Sequence, residues 1–409
     1  MKPNVRIKGY ADAWKRVFLH DCLEISTEVN CHDVYGKNDV LSVSDDFGVV
    51  NQIQHLGRSY AGKSVSGYKI LSPGQIVYTK SPLRDKPFGI IKENNFKAGI
   101  VSVLYAVYNV KSGIYSKYIQ RYFDPKERIN KYLLPLVNKG AKNTMNISDE
   151  MALNGEISIP TNIEEQKAIC DFFDNIDTLI DKANANLASL KQVKEASLQA
   201  MFPQEGETVP KIRFKGFEEE WKKVKLGEIA NFSKGNGYSK NDLQEFGHPI
   251  ILYGRLYTKY QTLISEVDTY ANLKCGSVLS EGNEVIMPAS GETPEDIARA
   301  SAVQAANIIL GGDLNIMRFN LAKYSTSYIA LAITYTKTHY ELSKVAQGKS
   351  VVHLQNIGIG KAEIMLPSFN EQRAIASYFT ALDRRITLQT QRLEKLKQIK
   401  AACLDKMFV

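Results

Sequence analysis

Only one phosphate-binding pattern stands in the chain, GRSYAGKS at residues 57–64, a full match to G-x-x-x-x-G-K-S. Such a loop works between a buried strand and a helix whose first N–H groups cradle phosphates. Here the preceding NQIQHL is polar, and the following SVSGYKILSPG carries Gly67 and Pro73, which oppose a helix. A second near-match, AQGKS at 346–350, has Ser343 where the first glycine should stand. Neither is expected to hold a nucleotide. Methyl transfer would need a Gly-rich cofactor loop and an Asn/Asp-Pro-Pro-aromatic tetrapeptide. The tetrapeptide is absent, and GNG (235–237) and GIG (358–360) are lone glycine pairs in turns. The six histidines show no metal-ligand spacing, and Cys31-His32 is an isolated pair, so no metal site is assigned. No catalytic residue is expected in this chain.

What remains is aromatic side chains interleaved with bases and small polar groups. YTKSPLRDK (78–86) supplies Tyr78, Lys80, Ser81, Arg84 and Lys86. SKGNGYSK (233–240) and LYGRLYTKY (252–260) supply Lys234, Asn236, Tyr238, Lys240, Arg255, Tyr257, Lys259 and Tyr260. Lysine and arginine suit phosphates, and Asn, Arg and Tyr suit base edges, so these loops are candidates for DNA contact. The competing reading is a set of solvated loops. A net charge of +8 and a pI near 8.9 fit a polyanionic partner without specifying one.

The elements that must position these loops are legible from an internal repeat. Residues 3–19 (PNVRIKGYADAWKRVFL) align without a gap to 210–226 (PKIRFKGFEEEWKKVKL), with 8 identities in 17. The only tryptophans, Trp14 and Trp221, occupy equivalent places. Residues 165–202 align to 371–408 with 16 identities in 38, at an offset of 206. Between these segments the match fades. A period this long implies duplication of a whole domain-plus-helix module rather than a solenoid.

The shared segments predict long helices. Each follows a proline (Pro160, Pro367) and then Thr161-x-x-Glu164 or Ser368-x-x-Glu371, a capping-box pattern. Apolar residues recur at alternating spacings of four and three: Ile169, Phe173, Ile176, Ile180, Ala183, Leu187 and Leu190, then Ile375, Phe379, Leu382, Ile386, Leu393 and Leu396, with Gln389 interrupting. That is a coiled-coil seam, and each helix is the obvious partner for the other. An approximate two-fold axis would make them antiparallel, with a globular unit at each end. At ~1.5 Å per residue each helix spans roughly 57 Å, a ruler between two contact sites on DNA.

The expected fold is therefore mixed α/β: a duplicated module of two variable units (1–160 and 206–367) joined by two long helices (161–205 and 368–409), packed as an antiparallel coiled coil with pseudo-two-fold symmetry. In the variable units, GQIVYT, GIVSVLYAVYNV and NEVIM read as strands, and SKYIQRYF and TSYIALAITYTKTHYEL as helices. Five scattered cysteines without a CxxC pair read as reduced thiols. No run approaches ~20 apolar residues and the first residues lack an apolar signal core, so a cytoplasmic protein is expected.

The twice-used IP/LP…EQ…I…F…D…I…L…LK…K…L…MF segment resembles the specificity subunits of Type I restriction-modification systems, and the resemblance extends over nearly the whole chain. LYGRLYTKY and YTKSP…GIV are similar to that family's recognition regions. The resemblance implies that each variable unit is a target recognition domain reading half of a split DNA sequence, with no catalysis in this chain. It also implies that the helices dock two modification subunits and that two restriction subunits complete the complex. S-adenosylmethionine, ATP and Mg would then reside on those partners, with no cofactor here. Glu165-Gln166 and Glu371-Gln372 match the repeated helix-start motif and are expected to cap the helix or dock a partner. A coiled-coil adaptor and a P-loop nucleotide-binding protein are the alternatives.

Overall fold

The computed structural model describes residues 3–83, 85–139, 145–204, 206–348 and 351–408. Two compact units emerge, one of Met1–Ala183 with Arg392–Val409, the other of Asn184–Gln391. The first long helix, Ile163–Met201, begins in one unit and ends in the other; the second, Phe369–Lys406, makes the reverse passage. Each unit thus contains the start of one long helix and the end of the other, and in each these stretches run antiparallel.

In the first unit the two stretches meet through Asp177 and Lys400 at 2.6 Å and through the stacked rings of Phe173 and Phe408, 5.9 Å apart. In the second they meet through Lys194 and Asp383 at 2.6 Å and through Phe202 and Phe379, 6.1 Å apart. The apolar seam lies along this contact. Ile169, Phe173, Ile176, Ala183, Leu190, Ile375, Phe379, Leu382 and Leu393 are buried, while Ile180, Leu187, Ile386 and Leu396 are half-buried.

The helix starts differ in detail from the expected capping boxes. Asn162, not Thr161, caps the first helix, its side-chain oxygen accepting from the Glu164 N–H at 2.8 Å. Glu164 turns outward to Lys167. Ser368 caps the second helix through the Glu371 N–H, but the Glu371 carboxylate is drawn away to Arg213, so neither start closes a reciprocal box.

Each unit is built on an antiparallel-rich sheet covered by a helix. In the first, strands Leu23–Ile25, Tyr105–Val110, Ile76–Thr79 and Ile91–Glu93 lie side by side in that order, all antiparallel. Alternation along the central strands buries both faces: Ile76, Tyr78, Ala106 and Tyr108 face one apolar cluster, Val77 and Val107 another. Helix Ser116–Phe123 packs on the first of these faces. In the second unit the order is Ala230–Lys234, Leu314–Phe319, Glu284–Pro288, Ser301–Val303, Leu263–Ile264, the last pair parallel. A further five-stranded sheet includes the parallel pair His248–Ile251 and Ala306–Leu310. The first unit holds a smaller version of it, in which Gly99–Val101 pairs antiparallel with Lys69–Leu71 and Val40 bridges Ile100 in parallel. The run TSYIALAITYTKTHYEL forms two helices, Thr326–Tyr335 and Lys337–Val345. They break at Thr336, whose extended backbone and hydroxyl cap the second by accepting from the Thr338 N–H. Among the described residues no helix is long and apolar enough to cross a membrane.

Candidate nucleic-acid interface

The duplicated segments converge on one anchor, built twice. Arg6 donates through Nε and Nη2 to the two oxygens of Glu165 at 2.7 and 2.8 Å. Arg213 does the same to Glu371, at 2.7 and 2.8 Å. A two-pronged guanidinium on a buried carboxylate fixes direction as well as charge. Trp14 adds an indole N–H to Glu165 at 3.2 Å. The neighbouring glutamines are equally committed. Gln166 Oε1 accepts from the Tyr115 N–H at 2.8 Å while its amide donates to Pro160 and Gly113. Gln372 Oε1 accepts from the Ser325 N–H at 3.0 Å while its amide donates to Pro367. Tyr115 and Ser325 are the N-cap residues of the covering helices, so each glutamine ties a long helix to the helix on the sheet. Glu165, Gln166, Glu371 and Gln372 are all buried, and the contacts they make lie inside their own unit, where a docking partner cannot reach them.

Aromatic packing repeats as well. Trp14 meets Tyr118 edge-on at 6.3 Å, and Trp221 meets Tyr328 edge-on at 6.1 Å. Phe408 and Phe202, at the ends of the two long helices, lie against Tyr118 and Tyr328 respectively.

The recognition candidates sit on unlike surfaces. In the first unit Tyr78 is fully buried, its hydroxyl donating to the Phe88 carbonyl at 2.7 Å, so it supports the loop from beneath. Lys86 is buried against Asp45 at 2.7 Å. Lys80 and Lys69 share the Asp149 carboxylate. Burial opposes ionisation of Asp45 and Asp149, but these lysines outweigh it and hold both below the usual carboxylate range. Ser81 is exposed, and Arg84 lies outside the described residues.

In the second unit Lys234, Asn236, Lys240 and Lys259 are exposed. Tyr238 holds a positive φ of 57° and bonds Ser277 and Asn272 through its hydroxyl, with the Lys274 ammonium 4.6 Å over its ring. Arg255 keeps only 8% of its side chain exposed; it pairs with Asp268 and donates to Gln261 at 3.1 Å. Lys259 joins the same Asp268 at 2.5 Å. Hydrogen bonds from Lys259 and Arg255 hold the Asp268 carboxyl far below its ordinary value. Tyr257 and Tyr260 spend their hydroxyls on the Ser290 and Ala300 carbonyls.

The phosphate-loop pattern has the wrong surroundings. Helix Gln52–Leu56 precedes it, closed by Gly57 at φ 75°, and strand Lys69–Leu71 follows it. That reverses the strand-then-helix order the motif requires. Among the described residues no three His, Cys, Asp or Glu are grouped to hold a metal ion.

Residues 218–398 match the model of a family described as the Type I restriction modification DNA specificity domain. That match covers the variable part of the second unit and most of the second long helix. The chain is 22% identical over 266 residues to the Type I restriction enzyme MjaVIII specificity subunit of Methanocaldococcus jannaschii, covering 62% of this chain and 61% of that one. It is 23% identical to the putative MjaX specificity subunit of the same organism, covering 71% of this chain and 66% of the relative. Both alignments therefore span a little under two thirds of the relatives' own length. The fold is similar to the crystal structure of a Type I restriction-modification S subunit from M. genitalium, with a TM-score of 0.59, 14% identity and coverage of 100% and 99% of the two chains.

Within this specificity-subunit fold, several features of the variable units escape a linear reading. Lys69 and Asp149 join Lys80 from 80 residues apart, with no local signal. A short signal was available elsewhere. Lys37-Asn38-Asp39 and Lys240-Asn241-Asp242 are the same tripeptide, and both form a 3-10 turn closed by the aspartate accepting an N–H from three residues back. Each leads to a Phe-Gly pair, with Phe47 68% and Phe246 82% exposed.

Proposed function

We propose that this chain is the DNA-reading subunit of a Type I restriction-modification complex, recognising a split target with two unlike half-sites. One observation carries the reading: the Arg–Glu and Gln anchors and the four-strand order of the main sheet repeat in both units, while the loops they support differ. Identical scaffolds with different surfaces are what two recognition domains for different sequences require. The chain performs no chemistry; two modification subunits bring S-adenosylmethionine, and two restriction subunits bring ATP and Mg. The paired long helices set the gap between half-sites. Exposed Lys234, Lys240 and Lys259 meet phosphates, Ser81 and Asn236 present polar groups to base edges, and Tyr78, Lys86, Arg255, Tyr257 and Tyr260 hold the loops in shape. The test is to co-express the chain with its modification subunits and map methylated adenines genome-wide. A split motif with unlike halves is expected; an assembled complex that methylates no new sequence would sink the reading.

A further inference from the structure

The second long helix carries a surface that its partner lacks. Counting about 100° per residue, Arg373, Arg384, Arg385, Arg392, Lys395 and Lys406 fall within a sector of about 120° that faces away from the apolar seam. All six are exposed. The helix's acids Glu371, Asp383, Glu394 and Asp405 fall outside that sector, and the first three are engaged by Arg213, Lys194 and Lys397. Among the described residues none of the six cations forms an ion pair. Four of them, Arg384 to Lys395, crowd into the middle of the helix over about 16 Å at ~1.5 Å per residue.

The equivalent positions of the first helix, 206 residues earlier, are Lys167, Thr178, Leu179, Asn186, Ser189 and Ala200. Lys167 is the only cation there, and Glu164 already pairs with it. A pair of identical protein partners docking on a duplicated scaffold would find the same chemistry on both helices. A stripe built on one helix only serves a ligand that binds once, and unpaired arginines in a row suit a polyphosphate rod.

We propose that the middle of the second long helix binds the sugar-phosphate backbone of duplex DNA in the unread gap between the two half-sites. This rests on the DNA-reading function above. The contact is independent of sequence and adds affinity and register without adding readout.

The test uses the full chain carrying Arg384→Gln, Arg385→Gln, Arg392→Gln and Lys395→Gln together, with duplex DNA titrated at several salt concentrations. Each phosphate contact contributes about 0.9 to the slope of log affinity against log salt. The variant is expected to lose about 2 to 4 from that slope while the methylated motif of the assembled complex stays the same. Lys182→Gln with Lys191→Gln on the first helix should leave the slope unaltered. An unchanged slope in the fourfold variant overturns the proposal, and an unchanged slope with weakened binding of the modification subunits assigns the stripe to a protein instead. If the unaltered chain shows no salt-dependent DNA binding, the DNA-reading function itself fails.

Discussion

Asp383 accepts the Lys194 ammonium at 2.6 Å, and the same two positions of the repeat, Asp177 and Lys400, meet at 2.6 Å as well. In each pair the acid stands near the start of one long helix and the lysine near the end of the other. The duplication thus reproduces a contact between two segments, and each repeat supplies one half of both pairs. Reversing the charge in Lys194→Asp should lower the unfolding midpoint. Adding Asp383→Lys should recover most of the loss, because the pair is re-formed with opposite polarity. Both side chains are partly exposed, at 17% and 34%, so the coupling read by a urea double-mutant cycle should be no more than about 1 kcal/mol.

Phe408 and Phe202 close their units from the far ends of the long helices, and both are buried. Truncating either to alanine leaves a cavity among tyrosine and phenylalanine rings. A loss of about 3–5 kcal/mol is expected from denaturant unfolding. Phe408→Ala should expose amides of the first unit to hydrogen exchange, and Phe202→Ala those of the second. Equal effects of either variant on both units would contradict this assignment.

Arg213→Ala strands the Glu371 carboxylate with no guanidinium, and Glu371 is fully buried. Removing one partner of such a pair costs about 3–5 kcal/mol. Lysine should rescue poorly, since a single ammonium cannot reproduce the two-pronged contact. Glu371→Gln combined with Arg213→Met should be milder than Arg213→Ala alone. Thermal melting of the three variants checks the order.

Asp45, Asp149 and Asp174 all titrate below the ordinary aspartate value in the folded chain. Burial opposes this, but Lys86 and Lys92, Lys69 and Lys80, and Lys117 and Arg121 prevail. Their stabilisation is fully present above the unfolded-chain value of about 3.9, and it is lost as pH falls through the lower folded values. Stability of the first unit should therefore hold flat down to mildly acidic pH and drop below about pH 4. Lys80→Met with Lys69→Met should lower stability at neutral pH and shrink that drop in pH-dependent urea titrations, because burial alone then acts on Asp149 and its folded value no longer lies below the unfolded one.

Burial pushes the Cys22 and Cys170 thiols up to about 12. Neither should be alkylated by iodoacetamide in the native protein near neutral pH, whereas exposed Cys31 and Cys275 should be accessible. Peptide mapping after a short native pulse reads this directly, and labelling of Cys22 before unfolding would contradict the packing described.

Much of this architecture is written in short-range pattern. The spacing of Ile169, Phe173 and Ile176 specifies a helix with one apolar stripe, because a helix places residues three and four apart on one face. The paired tryptophans and the EQ-led segments gave the duplication, since identity at a constant offset needs no structure to be seen. Strand-like runs such as GQIVYT were legible for the same reason of local periodicity. Thr336 was not: a single residue that ends one helix and caps the next carries no periodic signal.

Tertiary structure decided what each of these residues touches. Glu165 and Gln166 read as helix-start groups available for capping or docking, yet Arg6, Tyr115 and Pro160 close over them. Arg255 and Tyr78 read as DNA-facing, yet Asp268 and Phe88 occupy their polar atoms. The sequence by itself determined which segments are helices, which faces are apolar and that the module occurs twice. Only the folded chain decided that the end of each long helix completes the other module's core, and which loop cations remain free. The physical reason is range: periodicity is fixed by neighbours three or four residues away, whereas a buried carboxylate finds its guanidinium 158 or 159 residues along the chain.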